Sequence, residues 1–246
     1  MEAPAVPDAV LRRGPDVAVR SRAVSLRALS WVLLACAGAC QGGDPTVQRC
    51  RGVLTALEGR PQARRLTCES RSAADLLAYH GLPGTEAEVF ERLPKSDNPD
   101  LGFVGDPDGE PGKLPPAGYG VHAAPLAQVL RGFGLDARAQ QGRDLAWLRE
   151  ETDQDRPVIV WITASCGESS ATPLVDARGR PFRAVRGEHV VMVLRVRETV
   201  LALDPATGHR VTFERRELDD AWALFGRAAV SATGPLPSTA SGPGRG

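Results

Sequence analysis

The sequence predicts an α+β domain in which N-terminal helices pack on a C-terminal antiparallel sheet. Two observations carry this. Apolar residues recur at helical spacing between residues 72 and 151, and Val-rich runs of strand length dominate from residue 158 onward. A third concerns size: 246 residues, 42% of them hydrophobic, suffice for one core with tails.

Each element has a local reason. From Ser72 to His80, Ala73, Leu76, Leu77 and Tyr79 fit one helical face, and Gly81 stops the helix. Thr85 caps a second helix to Leu93, with Glu86 and Glu88 suited to its first turn. Residues 95–120 form a long Gly/Pro/Asp loop of the kind that shapes a functional cleft. Helices follow at Ala123–Phe133 and Asp144–Glu151. Val158–Ile162 reads as a buried strand, residues 164–186 as a polar loop, and His189–Val196 as an alternating strand. Val200–Leu203 and Arg210–Phe213 are strands joined by the turn Asp204-Pro205-Ala206-Thr207-Gly208. A helix over Arg216–Phe225 and a strand over Arg227–Val230 close the domain.

The N-terminus reads as an address. Arg12, Arg13, Arg20 and Arg22 precede an apolar run over residues 24–39, the order of a secretory signal. That run is too short and too rich in small residues for a spanning helix. Leu33-Leu34-Ala35-Cys36 resembles the lipoprotein box, which makes Cys36 a candidate lipidation site. Cleavage near Ala39 and an uncleaved signal anchor are the alternatives. Met1–Asp16 is unlike an n-region, which places the expected translation start near Val17 or Val19. The organisation expected is a leader over 1–43, a linker over 44–59, the globular domain over 60–231 and a disordered tail over 232–246. The protein is expected outside the cytoplasm, secreted or anchored to a membrane by lipid or signal anchor.

Composition excludes some partners. Lys plus Arg equals Asp plus Glu at 30 each, and aromatics are 5%, so neither charge nor stacking favours nucleic acid. No cysteine pair has C-x-x-C spacing, so neither a metal site nor a cofactor is expected. Asp97, Asp100, Asp106 and Asp108 cluster in a Gly-rich loop, but not at the spacing of an EF-hand. Cys50 and Cys166 are a candidate disulfide outside the cytoplasm.

The chemistry rests on four residues. Cys68 lies just before a predicted helix, where the helix dipole favours the thiolate. His189 opens a stiff strand, a good mount for a base. Asp204 ends the next strand, fifteen residues later, so an antiparallel hairpin makes it a neighbour of His189. Gln62, six residues before Cys68, can donate to an oxyanion together with the Cys68 backbone N–H. Singly each has a plain alternative: a buried cysteine, a strand-end histidine, a turn aspartate, a surface glutamine.

Together they fall in a known order. The pieces are Gln62-x5-Cys68-Glu69-x-x-Ser72, Asp97-Asn98-Pro99 with Gly102-Phe103-Val104-Gly105, Tyr119-Gly120-Val121, Pro157–Trp161, Gly187-Glu188-His189 and Asp204-Pro205-x-x-Gly208. From Gln62 to Phe225 the chain resembles the stand-alone bacterial relatives of the bacteriocin-processing, double-glycine leader peptidases, which have a papain-like fold. The resemblance implies a cysteine peptidase acting on a peptide or protein substrate. Cys68 would be the nucleophile, His189 the general base and acid, Asp204 the orienting group and Gln62 the oxyanion donor. The leader peptidases are fused to transporter helices and an ATPase. This sequence has neither, so the double-glycine substrate is not carried over. Two alternatives remain: an acyl transferase with transglutaminase-like chemistry, whose Cys-to-His interval is usually shorter, and a catalytically silent binding module.

Overall fold

A computed structural model describes residues 57–164 and 170–237. The expectations for the leader, the translation start, Cys36 and the Cys50–Cys166 pair lie outside these residues, as does most of the expected linker and tail. Among the described residues no helix is long and apolar enough to cross a membrane.

The helices are α1 (Cys68–Tyr79), α2 (Glu86–Arg92), α3 (Ala123–Gly132), α4 (Leu145–Asp153) and α5 (Arg215–Ala223). The strands are β1 (Leu135–Gln140), β2 (Val158–Thr163), β3 (Ala171–Val175), β4 (Pro181–Val185), β5 (Glu188–Val196), β6 (Thr199–Asp204), β7 (His209–Glu214) and β8 (Ala229–Pro235). Six strands form one antiparallel sheet in the order β1-β8-β2-β5-β6-β7, and β3 and β4 pair as a separate hairpin. The α+β class is as the sequence predicts.

All six residues of β2 are buried, so the centre of the sheet is covered on both faces. The strand period of two divides them. Ile159 and Trp161 join Val190, Met192, α1 and α3 in one cluster. Val158, Val160 and Ile162 join Val191, Val193, Leu148 of α4, and Leu218 and Trp222 of α5 in another. Full burial of one such aliphatic side chain contributes roughly 1.5–3 kcal/mol, so these two clusters hold the layers together.

Helix ends follow local chemistry. Thr85 and Glu88 form a reciprocal capping box at α2, and the Asp144 carboxylate accepts the Trp147 N–H at 2.8 Å to start α4. Gly81, at φ +70°, turns the chain out of α1.

Four local expectations are corrected. α1 starts at Cys68, not Ser72, so the cysteine is the first helical residue. The segment after Gly134 is a strand, β1, whose Asp, Arg and Gln residues hid its edge position from an apolar-run criterion. The 164–186 loop contains the β3–β4 hairpin. The last strand runs to Pro235, past the expected boundary at 231, because β1 pairs with Ala232 and Pro235.

The 95–120 loop has no regular element and is held by side chains. Asp97 Oδ2 accepts the Ala177 N–H at 2.7 Å, and Asn98 Nδ2 donates to Asp176 Oδ2 at 3.2 Å, tying it to the β3–β4 turn. Asp100 pairs with His122, and Asp108 with Arg64. Each of these aspartates therefore has a protein partner.

Candidate active site

The loop before α1 delivers Cys68. Ala63 N–H donates to both oxygens of Glu86, at 2.9 and 3.1 Å, and the Thr67 hydroxyl donates to the same carboxylate. Gln62 N–H donates to Pro205 O at 2.7 Å, which seats the loop on the turn that follows Asp204. The start of α1 and the end of β6 are thereby brought together.

His189 and Asp204 meet diagonally across the β5–β6 hairpin. In the β5–β6 pair Met192 faces Leu203, and His189 Nε2 lies 2.8 Å from Asp204 Oδ1. Both side chains are mostly buried, at 15% and 19% exposure. Burial alone would raise the Asp204 carboxyl. The His189 hydrogen bond, the Ala206 N–H at 2.9 Å and the nearby imidazole outweigh it and hold the carboxyl below its usual range. The Asp204 carboxylate accepts the hydrogen bond from His189 Nε2, which turns Nδ1 away from Asp204.

Cys68 is 5% exposed and reduced. Its helix position favours the thiolate, yet its surroundings oppose it. Burial pushes the thiol up first, followed by the Glu69 charge, the neighbouring Glu188 carboxyl and the Sγ–H donated to Glu69 Oε2 at 3.3 Å. The backbone N–H of Val190, the residue after His189, works the other way at the sulfur. Cys68 Sγ lies within 4.8 Å of a Glu188 carboxyl oxygen, which places it against the start of β5. These surroundings favour the neutral thiol and act against the helix dipole.

Gln62 uses its amide differently from the sequence expectation. Nε2 donates to Arg64 O at 2.8 Å and Arg65 O at 2.9 Å, while Oε1 is buried without a partner. Both N–H groups close the loop before Cys68, so donation to an oxyanion requires one of them to be released.

Two residues without a role in the sequence reading surround the thiol. Glu69 is fully buried, and its Oε1 accepts the Val121 N–H at 2.6 Å. Glu188, at the start of β5, brings a second carboxyl. One ligand-type atom each from Cys68, Glu69 and Glu188 lies within 4.8 Å of the others. These donors suit a metal by type, but the thiol and the Glu69 carboxylate are already engaged with each other and with Val121. Charge next to a nucleophile is the signal that could have found them: each is adjacent in sequence to a catalytic candidate.

The segment Tyr119-Gly120-Val121 closes the site from the side. Trp161 Nε1 donates to Val121 O at 3.0 Å, and Tyr119 OH accepts the Val185 N–H at 3.0 Å. Burial raises the Tyr119 phenol above its usual range, and the neighbouring Glu188 carboxyl adds to it, so it stays protonated. A cavity of about 950 Å³ opens at the sheet end where β2 finishes and β8 begins, lined by Asp100, His122, Phe182, Arg183, Val185 and Phe225.

Cys68 stands at the start of α1, and the His189–Asp204 pair stands on β5 and β6 of the same α+β scaffold. Two solved structures are similar to it. A C39-like peptidase from Bacillus anthracis superposes with a TM-score of 0.65 at 23% sequence identity, over 75% of this chain and 98% of that one. A double glycine motif protease from an AMS/PCAT transporter, solved with its leader peptide, has a TM-score of 0.44 at 15% identity, over 72% and 91%. No protein-family model and no curated protein matches the chain. The first likeness shows the fold to be of the C39-like, papain-like kind.

Proposed function

We propose that the chain is a cysteine peptidase that hydrolyses a peptide or isopeptide bond with Cys68, His189 and Asp204. The observation that carries this reading is the 2.8 Å His189–Asp204 hydrogen bond on β5, the strand whose first residue, Glu188, brings a carboxyl oxygen within 4.8 Å of the Cys68 sulfur. His189 Nδ1 takes the thiol proton as Cys68 Sγ attacks the carbonyl carbon. The oxyanion is held by the Cys68 backbone N–H, one of the first-turn donors with no intrahelical acceptor. Gln62 joins it on releasing a loop carbonyl. His189 then gives its proton to the leaving amine, and water, deprotonated by the same nitrogen, resolves the thioester.

The cavity beside His122 suits the extended part of a peptide. Its lining does not include Cys68, His189 or Asp204, so it would take a part of the peptide away from the scissile bond. The location outside the cytoplasm, with Cys36 lipidated, rests on the leader sequence and predicts an N-terminal diacylglyceryl cysteine in the intact mass of the mature protein.

A degenerate fluorogenic peptide pool tests the activity. The full chain should release product, and Cys68→Ala should abolish release. Added amine acceptors should leave hydrolysis dominant. Product that persists in Cys68→Ala overturns the assignment.

A further inference from the structure

The thiol of Cys68 does not face a neutral wall. Glu69 follows it on α1, Glu188 precedes His189 on β5, and their carboxyls converge below Gly120. A Cβ built on Gly120 would lie 2.3 Å from Glu69 Oε1 and 2.8 Å from Glu188 Oε2, which places both oxygens against one point of the backbone. Their environments differ. Glu69 receives the Val121 N–H at 2.6 Å and the Cys68 S–H at 3.3 Å. Glu188 is partly exposed as a residue, but its Oε1 is buried and has no hydrogen-bond partner.

We propose that Glu69 and Glu188 form a carboxyl–carboxylate pair that carries one negative charge between them and acts as a positioning device for Cys68. Glu69 keeps the charge, because donors converge on it. Glu188 keeps the proton, because ionising it would bury a second charge with no donor to satisfy it. Glu69 fixes the thiol rotamer through Sγ–H···Oε2, and the single charge sets how readily the thiolate forms. Burial, then the Glu69 charge, pushes the Glu188 carboxyl well up, and burial also raises Glu69.

The groups facing the pair are Cys68 on α1, His189 on β5 and the Tyr119 phenol from the closing segment. Tyr119 is neutral and bonded to Val185, and Asp204 stands behind His189. The pair is therefore the source of negative charge that acts on the thiol directly.

This inference rests on the peptidase reading for its purpose, but its test does not. Infrared spectra of the full chain at neutral pH should contain a protonated-carboxyl C=O band that Glu188→Gln removes. Iodoacetamide alkylation of Cys68, followed against pH, should shift its midpoint down by about one unit in Glu69→Gln/Glu188→Gln. That is roughly tenfold faster alkylation below the midpoint. If the double variant does not fold, the band in wild type and its loss in Glu188→Gln decide the matter alone. An absent band, a band retained in Glu188→Gln or an unmoved midpoint overturns the pair, even where Cys68-dependent hydrolysis is present. A lost band and a shifted midpoint in a chain without hydrolysis keep the pair and overturn the peptidase reading.

Discussion

The Glu86 carboxylate accepts the hydroxyl of Thr67, the residue immediately before Cys68. It also takes the Ala63 N–H, and Arg71 approaches to 3.9 Å. A residue in the first turn of α2 thus holds the loop from which α1 starts. Glu86→Ala removes the acceptor of the Ala63 N–H and leaves the buried Thr67 hydroxyl only the Arg64 carbonyl, at a cost of about 1 kcal/mol. Thermal unfolding should show the lower midpoint, and hydrolysis should fall as well because Cys68 loses its register. Wild-type stability in Glu86→Ala would mean that water replaces the carboxylate.

Asp204 should matter through His189. Asp204→Asn should lower kcat roughly 10²–10⁴-fold with a smaller change in KM, because the imidazole loses its tautomer and aim. Its folded carboxyl lies below the unfolded value. The stability it contributes is therefore present above about pH 3.9 and lost as pH falls through the folded value. The stability gap between wild type and Asp204→Asn should shrink between pH 7 and pH 3 in urea titrations. A gap that widens would reverse the sign.

Gly120 is required on two counts. Its φ is +134°, and a Cβ would strike both carboxyls of the pair. Gly120→Ala should destabilise the chain by roughly 1–3 kcal/mol and change the pH profile of Cys68 alkylation. Gly81 faces open space, so Gly81→Ala tests the backbone contribution alone and should leave that profile in place.

The edge of the sheet gives a prediction about length. Ala232 is buried, and it and Pro235 pair with β1. A chain ending at Ser231 should unfold at lower denaturant than one ending at Pro237. Equal midpoints would make the end of β8 dispensable.

The parts legible in the sequence were those with strong periodicity or a distinctive partner. The apolar strands β2, β5 and β6 and the capped α2 could be located because burial or a capping box fixes their residues. The His189–Asp204 pair followed from hairpin geometry, since the start of one strand must lie beside the end of the next. β1 and β3 were not legible because they mix charged or polar residues with apolar ones, and their pairing with β8 and β4 decides them. The resting state of Cys68 was not legible either. A helix N-terminus is visible in sequence, whereas burial against Glu69 and Glu188 exists only once α1 and β5 are packed together. Gln62 stood at the expected spacing, but only the folded loop reveals that its N–H groups are spent on Arg64 and Arg65.

The most direct measurement is intact-mass and fragment analysis of the full chain after treatment with a peptidyl electrophile that mimics an acyl donor. The account predicts a single adduct on the fragment containing Cys68, absent in Cys68→Ala and formed far more slowly in His189→Ala. An adduct that survives Cys68→Ala, or one whose rate is indifferent to His189, would contradict it.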